Sequence, residues 1–243
     1  LFLGACKSVT PPQNATPLFD PAKLAEMDAV IERAIADKKC PGGVLWLEHR
    51  GATYHKAYGQ RALVPAAEPM SEDTIFDAAS LTKVVACTPA MMLLVERGQV
   101  NLDATVATYI PEFKGQGKEG ITVRQLMTHT SGLRGDIETK SDWRGQQTAI
   151  QKACAEKLLS TPGTAFCYSD INFFLLGEIV QRVSHQPLEK FVAQEVYVPL
   201  KMADTGFLPF PDKRQRVAPT QVVGGQPYPG VGHETPARKM GGE

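Results

Sequence analysis

Apolar residues in this chain follow two rhythms, and their unequal shares limit the folds open to it. Strand-like alternation occurs once: residues 44–50, a turn at Gly51-Ala52 and residues 53–59 read as a β-hairpin. Helical spacing of three and four takes most of the rest. It begins at Asp20-Pro21, a capping residue followed by proline in the first turn, and carries Leu24, Met27, Val30, Ile31 and Ile35 up to Pro41-Gly42-Gly43. It resumes in a helix from about residue 74 to Gly98 and in segments 100–111, 122–129, 148–160, 170–184 and 188–198. Gly132, Gly135, Pro162-Gly163 and Pro187 punctuate these segments, and after Met202 the pattern breaks into Pro, Gly and short apolar pieces. A helix and hairpin followed by a large helical block is an α+β arrangement. Two strands are too few for a stable sheet, so this reading calls for further strands, either missing or placed after Met202.

The most apolar helix opens with Ser80-Leu81-Thr82-Lys83. Residues i and i+3 share a helix face, so the Lys83 amine can reach the Ser80 hydroxyl and take its proton, which activates a poor nucleophile. The same four residues are also what a solvated helix start offers by chance. A second patch, Pro162-Gly163-Thr164-Ala165-Phe166-Cys167-Tyr168-Ser169-Asp170-Ile171-Asn172-Phe173, delivers a tyrosine by a turn just ahead of a helix that Asp170 can cap. A lysine ammonium stabilises a neighbouring phenolate. Tyr168 is therefore a base if it folds against Lys83, and a gap-filling loop residue if it does not. No serine sits in a G-x-S-x-G elbow, which argues against an α/β-hydrolase.

Charge and cysteine usage narrow the partners. Lys plus Arg and Asp plus Glu are both 26, so the net charge is zero and no basic stripe points to nucleic acid. Apolar residues at 43% and charged ones at 21% suit an ordinary globular chain. No apolar run reaches the ~18 residues of a membrane span. The five cysteines (Cys6, Cys40, Cys87, Cys154, Cys167) show no metal-ligand spacing and the five histidines form no H-E-x-x-H, so no metal or other cofactor is expected. Cys87 reads as a buried free thiol on an apolar helix face, and a Cys154–Cys167 disulfide stays open.

Together these segments resemble the serine β-lactamase-like superfamily of penicillin-recognising enzymes, in its class C β-lactamase, DD-peptidase and family VIII-type esterase branch. The resemblance runs from about Pro41 to Glu243. It includes Asp73-Thr74-Ile75-Phe76-Asp77-Ala78-Ala79-Ser80-Leu81-Thr82-Lys83, Leu102-Asp103, Tyr109-Ile110-Pro111 and Ile121-Thr122-Val123-Arg124-Gln125-Leu126-Met127-Thr128-His129-Thr130-Ser131-Gly132-Leu133. It continues through Pro162-Gly163-Thr164, Tyr168-Ser169, Pro199-Leu200-Lys201-Met202 and Asp204-Thr205-Gly206-Phe207. It implies a β-lactamase/transpeptidase-like domain over residues 21–243. Ser80 would be the acylated nucleophile, Lys83 its proton acceptor and relay, and Tyr168 the partner base that protonates the leaving group. The Ser80 N–H would supply half of an oxyanion hole, with Asp170 and Asn172 facing the substrate. The stretch from His129 to Leu133 would shape the helical block without a catalytic part.

Two departures qualify the resemblance. Where the family's second motif reads tyrosine, any residue, asparagine, this chain has Asp170, an acid that accepts but cannot donate. It would repel a substrate carboxylate and hold Lys83 charged, which favours esters over β-lactams. The family's third motif, K-T-G or H-x-G, is absent, since neither His233-Glu234-Thr235 nor Lys140-Ser141-Asp142 matches it. The expectation is a fragment without its C-terminal sheet strands. Leu1-Phe2-Leu3-Gly4-Ala5-Cys6 resembles the tail of a bacterial lipoprotein signal, with residues 1–20 as a tether and Cys6 as the lipidated residue; a disordered start that happens to hold a cysteine is the alternative. The function expected is that of an extracytoplasmic serine acyl hydrolase acting on small esters or on β-lactam and peptidoglycan-like substrates. A non-catalytic, lipid-anchored, penicillin-binding-like envelope protein is the second reading.

Overall fold

The computed structural model describes residues 18–138, 142–208 and 211–220, and the backbone of 222–223 and 226–227. Cys6 and His233 lie outside the described residues. The chain divides into two compact units, Leu1–Thr74 and Ile75–Glu243.

The first unit is built on α1, Pro21–Ala36, and a hairpin of β1, Gly42–His49, and β2, Ala52–Ala62. Asp20 caps α1 by accepting the Ala22 N–H at 2.8 Å, and Pro21 sits where its missing N–H leaves no hydrogen bond unmade. The strands pair antiparallel from Gly42↔Gly59 to His49↔Ala52. Their turn falls on Arg50 and Gly51, at φ 50° and 80°, one residue earlier than expected. Two left-handed turn residues match the twist of the flanking strands, and glycine takes that conformation freely. A third strand, β3, Glu68–Pro69, pairs with β2 across a register shift. The sequence reads as loop there because two residues are too few to show alternation. This unit buries little: α1 has no buried residue, and Tyr58 and Ala62 are the buried apolar side chains among its described residues.

The second unit holds the large core. Its first helical run opens as a 3-10 turn, Ala79–Leu81, widens into a π turn, Lys83–Cys87, and continues as α2, Thr88–Glu96. At 18 residues and a mean hydropathy of 1.4, this run is long and apolar enough to cross a membrane, contrary to the expectation from sequence. Its Cys87, Ala90, Met91 and Leu94 are instead buried in protein. Against them packs α5, Asp170–Ser184, whose Ile171, Leu175 and Ile179 are fully buried, and α3, Val123–Met127, and α4, Gln146–Ala155, pack in turn against α5. Next comes α6, Leu188–Val192, which runs on through a π turn, Ala193–Tyr197. Thr122 and Gln125 cap each other's backbone at the start of α3. Lys118 is buried, and its ammonium donates to the carbonyls of Cys154 and Glu156 at the end of α4.

Residues 100–111 do not form the expected helix, only a 3-10 turn at Val106–Thr108. Asn101 Oδ1 accepts the Asp103 N–H at 2.9 Å, and the Tyr109 hydroxyl accepts the Asn101 N–H at 2.8 Å. Polar side chains thus satisfy the backbone locally and outcompete the helix. Beyond Met202, β4, Val222–Val223, and β5, Gln226–Pro227, make a two-stranded sheet of their own. Cys87 is buried as expected, while Cys40, Cys87, Cys154 and Cys167 are all free thiols, so the Cys154–Cys167 disulfide is not formed.

Candidate active site

Ser80 sits in the first turn of the helical run, behind a residue in an unusual conformation. Ala79 has φ 44°, a left-handed value that an alanine rarely takes, and Asp77 Oδ1 holds its N–H at 2.9 Å. One turn further on, Lys83 is 9% exposed and points its ammonium back at Ser80, donating to Oγ at 3.1 Å. The same Nζ is ion-paired with Asp170 Oδ1 and lies 4.8 Å from the centre of the Tyr168 ring. Asp170 Oδ1 is buried and accepts no directed hydrogen bond among the described residues, so the ammonium is what offsets its charge. Burial pushes the Lys83 amine toward its neutral form, but Asp170 and the Tyr168 hydroxyl outweigh this and hold it above its ordinary value. In this arrangement the Lys83 ammonium donates to the Ser80 hydroxyl oxygen and pairs with the Asp170 carboxylate.

Tyr168 arrives on a loop that is laced to residues 129–135. Leu159 N–H donates to Gly132 O at 2.8 Å, Gly163 to Thr130 O at 2.8 Å, Cys167 to His129 O at 2.9 Å and Asp170 to Gly135 O at 2.6 Å. Gly132 has to be a glycine: its φ is 82°, and a Cβ there would fall 2.2 Å from the Ser160 carbonyl oxygen. Ser169, rather than the expected Asp170, caps α5 by accepting the Asn172 N–H at 3.4 Å, and its Oγ donates to Arg134 O at 2.6 Å.

The structure brings Ser80, Lys83, Tyr168 and Asp170 together. Asn172 is placed differently from the expectation that it faces substrate. It is fully buried, its Oδ1 accepts from Ser131 Oγ at 2.7 Å, and its amide lies 3.5 Å from His129 Nδ1. In the first turn of α5 it faces the core and ties that helix to Ser131 and His129.

His129, expected only to shape the helical block, lies against the Tyr168 loop. Its ring lies 4.6 Å from that of Tyr168 and 5.2 Å from that of Phe173, and its Nδ1 accepts the Ser169 N–H at 3.0 Å. Burial and the neighbouring Lys83 charge hold its imidazole below the ordinary histidine value, with Asp170 opposing. The signal was a histidine inside a matched stretch, but nothing local ties position 129 to position 169.

Ser80, Lys83, His129 and Tyr168 line an open cleft of about 540 Å³, bounded by Ala78, Leu81, Val84, Met127 and Phe173. Tyr168, 48% exposed, forms part of its wall. Cys87 lies beneath it, its thiol pushed up to about 12 by burial, and is not a competing nucleophile. Among the described residues no three His, Cys, Asp or Glu side chains are grouped to hold a metal ion.

Known proteins share this arrangement of elements. The chain is 32% identical over 231 residues to esterase EstB of Burkholderia gladioli, covering 87% of this chain and 58% of that protein. It is 32% identical over 231 residues to the N-acetylmuramyl-L-alanine amidase of Bacillus subtilis (strain 168), covering 86% of this chain and 52% of the amidase. A crystal structure of a class C beta lactamase superposes with a TM-score of 0.74 at 25% identity, over 88% of this chain and 59% of that one. EstCE1, a hydrolase with promiscuous acyltransferase activity, gives 0.72 at 25% identity over 86% and 59%. The chain thus spans a little over half the length of these curated relatives. The family profile described as Beta-lactamase matches residues 27–241, nearly the whole chain, and with that match this chain belongs to the beta-lactamase family.

Proposed function

We propose that this chain carries the acylation site of an extracytoplasmic serine hydrolase, with Ser80 as nucleophile and small neutral esters as its preferred substrates. The observation that carries this reading is the Lys83 ammonium, which bridges Ser80 Oγ and the Asp170 carboxylate inside the cleft. Ser80 Oγ attacks the ester carbonyl while Tyr168, entering the step as its phenolate, accepts the Ser80 proton and becomes the phenol. The new Oγ–C bond forms a tetrahedral oxyanion at the start of a long helical run, where the backbone N–H of Ser80 and the positive helix end favour negative charge. Collapse breaks the bond to the leaving alkoxide, which takes the proton back from Tyr168. Water then repeats the sequence on the acyl-serine. Lys83 stays charged throughout and stabilises the anionic oxygens beside it.

Ester preference rests on the charge inventory of the cleft. Lys83 is the charged side chain among the described lining residues, and Asp170 already pairs with it. A substrate carboxylate, such as that of a penicillin, meets no uncommitted cation there, while Leu81, Val84, Met127 and Phe173 offer apolar walls to an acyl chain. The extracytoplasmic location, and a lipid anchor at Cys6, rest on the lipoprotein-like start and on a relative named for N-acetylmuramyl-L-alanine.

The test is the intact mass of the purified chain after brief exposure to a short-chain p-nitrophenyl ester and, separately, to a penicillin. An ester adduct that Ser80→Ala abolishes, forming faster than any penicillin adduct, is the expected result. A faster penicillin adduct would sink the ester preference, and no adduct with either would leave a binding protein in place of an enzyme.

A further inference from the structure

The backbone on either side of Tyr168 is gripped by one residue. The His129 carbonyl accepts the N–H of Cys167 at 2.9 Å, and its Nδ1 accepts the N–H of Ser169 at 3.0 Å. The two donors bracket position 168, and between them the imidazole lies 4.6 Å from the phenol ring at a tilt of 33°. His129 reaches both because its own backbone is left-handed, φ 57°, which turns its carbonyl and its ring toward the same loop. Such a grip works in one protonation state. An imidazole nitrogen that accepts an N–H must carry no proton; once protonated, two donors would face each other.

We propose that His129 is a positioning residue for Tyr168, holding it against Lys83 while the imidazole is neutral and releasing it when the imidazole is protonated. This rests on the reading of Tyr168 as the base of an acyl-serine reaction. The ionisable groups around the ring are Lys83 on the Ser80 helix, Tyr168 and Cys167 on the loop, and Asp170 at the start of α5. Lys83 opposes a second positive charge and Asp170 favours one, with burial adding to the effect of Lys83. The grip is therefore intact at and above the ordinary histidine value of 6.5 and is lost as pH falls below it.

Two substitutions separate positioning from mere packing. His129→Asn places an amide oxygen near the Nδ1 position and tolerates a left-handed backbone, whereas His129→Phe keeps a ring and loses the acceptor. In burst acylation by a p-nitrophenyl ester, the Asn variant is expected to keep most of the wild-type rate and to lose the acid limb. The Phe variant is expected to fall roughly a hundredfold, the scale of an ångström-level misplacement. Equal rates in the two variants, or an acid limb that survives in both, would overturn the proposal. An independent arm needs no activity: in ¹⁵N-resolved spectra of the full chain between about pH 5 and about pH 8, the Ser169 amide should shift in step with the ionisation of His129. An amide indifferent to that ionisation also overturns it. If the wild type gives no Ser80 adduct, the acyl-serine reading fails by itself, and the spectra alone decide whether His129 holds the loop; they decide equally if the Phe variant does not fold.

Discussion

The molecule contains two lysine–aspartate–tyrosine clusters, one in each unit, and they do opposite things. In the first unit Asp28 is saturated: it accepts from Tyr54 at 2.8 Å, from Tyr58 at 2.5 Å and from Lys56 at 2.8 Å. Three donors from β2 converge on this one α1 carboxylate, and the result is a fastening between helix and hairpin in a unit with few buried apolar side chains among its described residues. In the second unit the Asp170 oxygen facing Lys83 has that ammonium and no directed hydrogen bond, and the ammonium has a serine hydroxyl to spare. The Lys83 side chain is 11% exposed where that of Lys56 is 42% exposed. Residue types alone thus do not define a site. What separates the clusters is an uncommitted hydroxyl, low exposure and a cleft, and the large core of the second unit supplies the rigid frame that holds them.

Making the same substitution in both clusters should produce the largest contrast. Lys83→Met removes the donor to Ser80 and leaves the Asp170 carboxylate without its compensating charge, a change that costs about 3 kcal/mol or more in a buried pair. Acylation should become undetectable and the thermal midpoint should drop. Lys56→Met leaves Asp28 its two phenols, so acylation should persist with a small change in midpoint. Comparable losses of activity in the two variants would erase the distinction drawn between the clusters.

A subtler probe is Asp170→Asn, which preserves shape and removes charge. Without the carboxylate, burial becomes the dominant influence on Lys83 and favours the neutral amine. The sign follows: wild-type Lys83 stays protonated until pH passes above its ordinary 10.5, and the variant should release that proton at lower pH. The alkaline limb of the acylation profile should move down accordingly. An unmoved limb would mean that Asp170 does not set the charge on Lys83.

How much of this was legible beforehand depended on distance along the chain. Ser80 and Lys83 meet across one helical turn, and α5 is present from Asp170 to Ser184 as its apolar spacing indicates. The turn at Arg50-Gly51 was off by one because either pairing of Gly51 with a neighbour suits a hairpin sequence. The roles of His129 and Asn172 were not legible: their bonds to Ser169 and Ser131 span about 40 residues. Such partners become neighbours only after the loop is laced down. At Asp170 the structure shows an ion pair with Lys83, while the helix cap expected of it belongs to Ser169.

The smallest effect tests the fastening in the first unit. Three donors hold the Asp28 carboxyl down to about 2, against an ordinary 3.8, with Lys56 the leading cause and the two tyrosine hydroxyls next. A depressed carboxylate contributes stability that is fully present above its unfolded value and lost as pH falls through its folded one. The window therefore runs from 3.8 down to about 2. Asp28→Asn should destabilise the helix–hairpin unit at neutral pH, and the gap from wild type should close as pH falls through that window. Trp46, on β1, reports this unit once Trp143 in the other is replaced by Phe, so its fluorescence during urea unfolding is the measurement. A gap that persists unchanged to about pH 2 would show that the amide side chain of the variant disturbs packing rather than charge, and that α1 is fastened to β2 by something other than the Asp28 carboxylate.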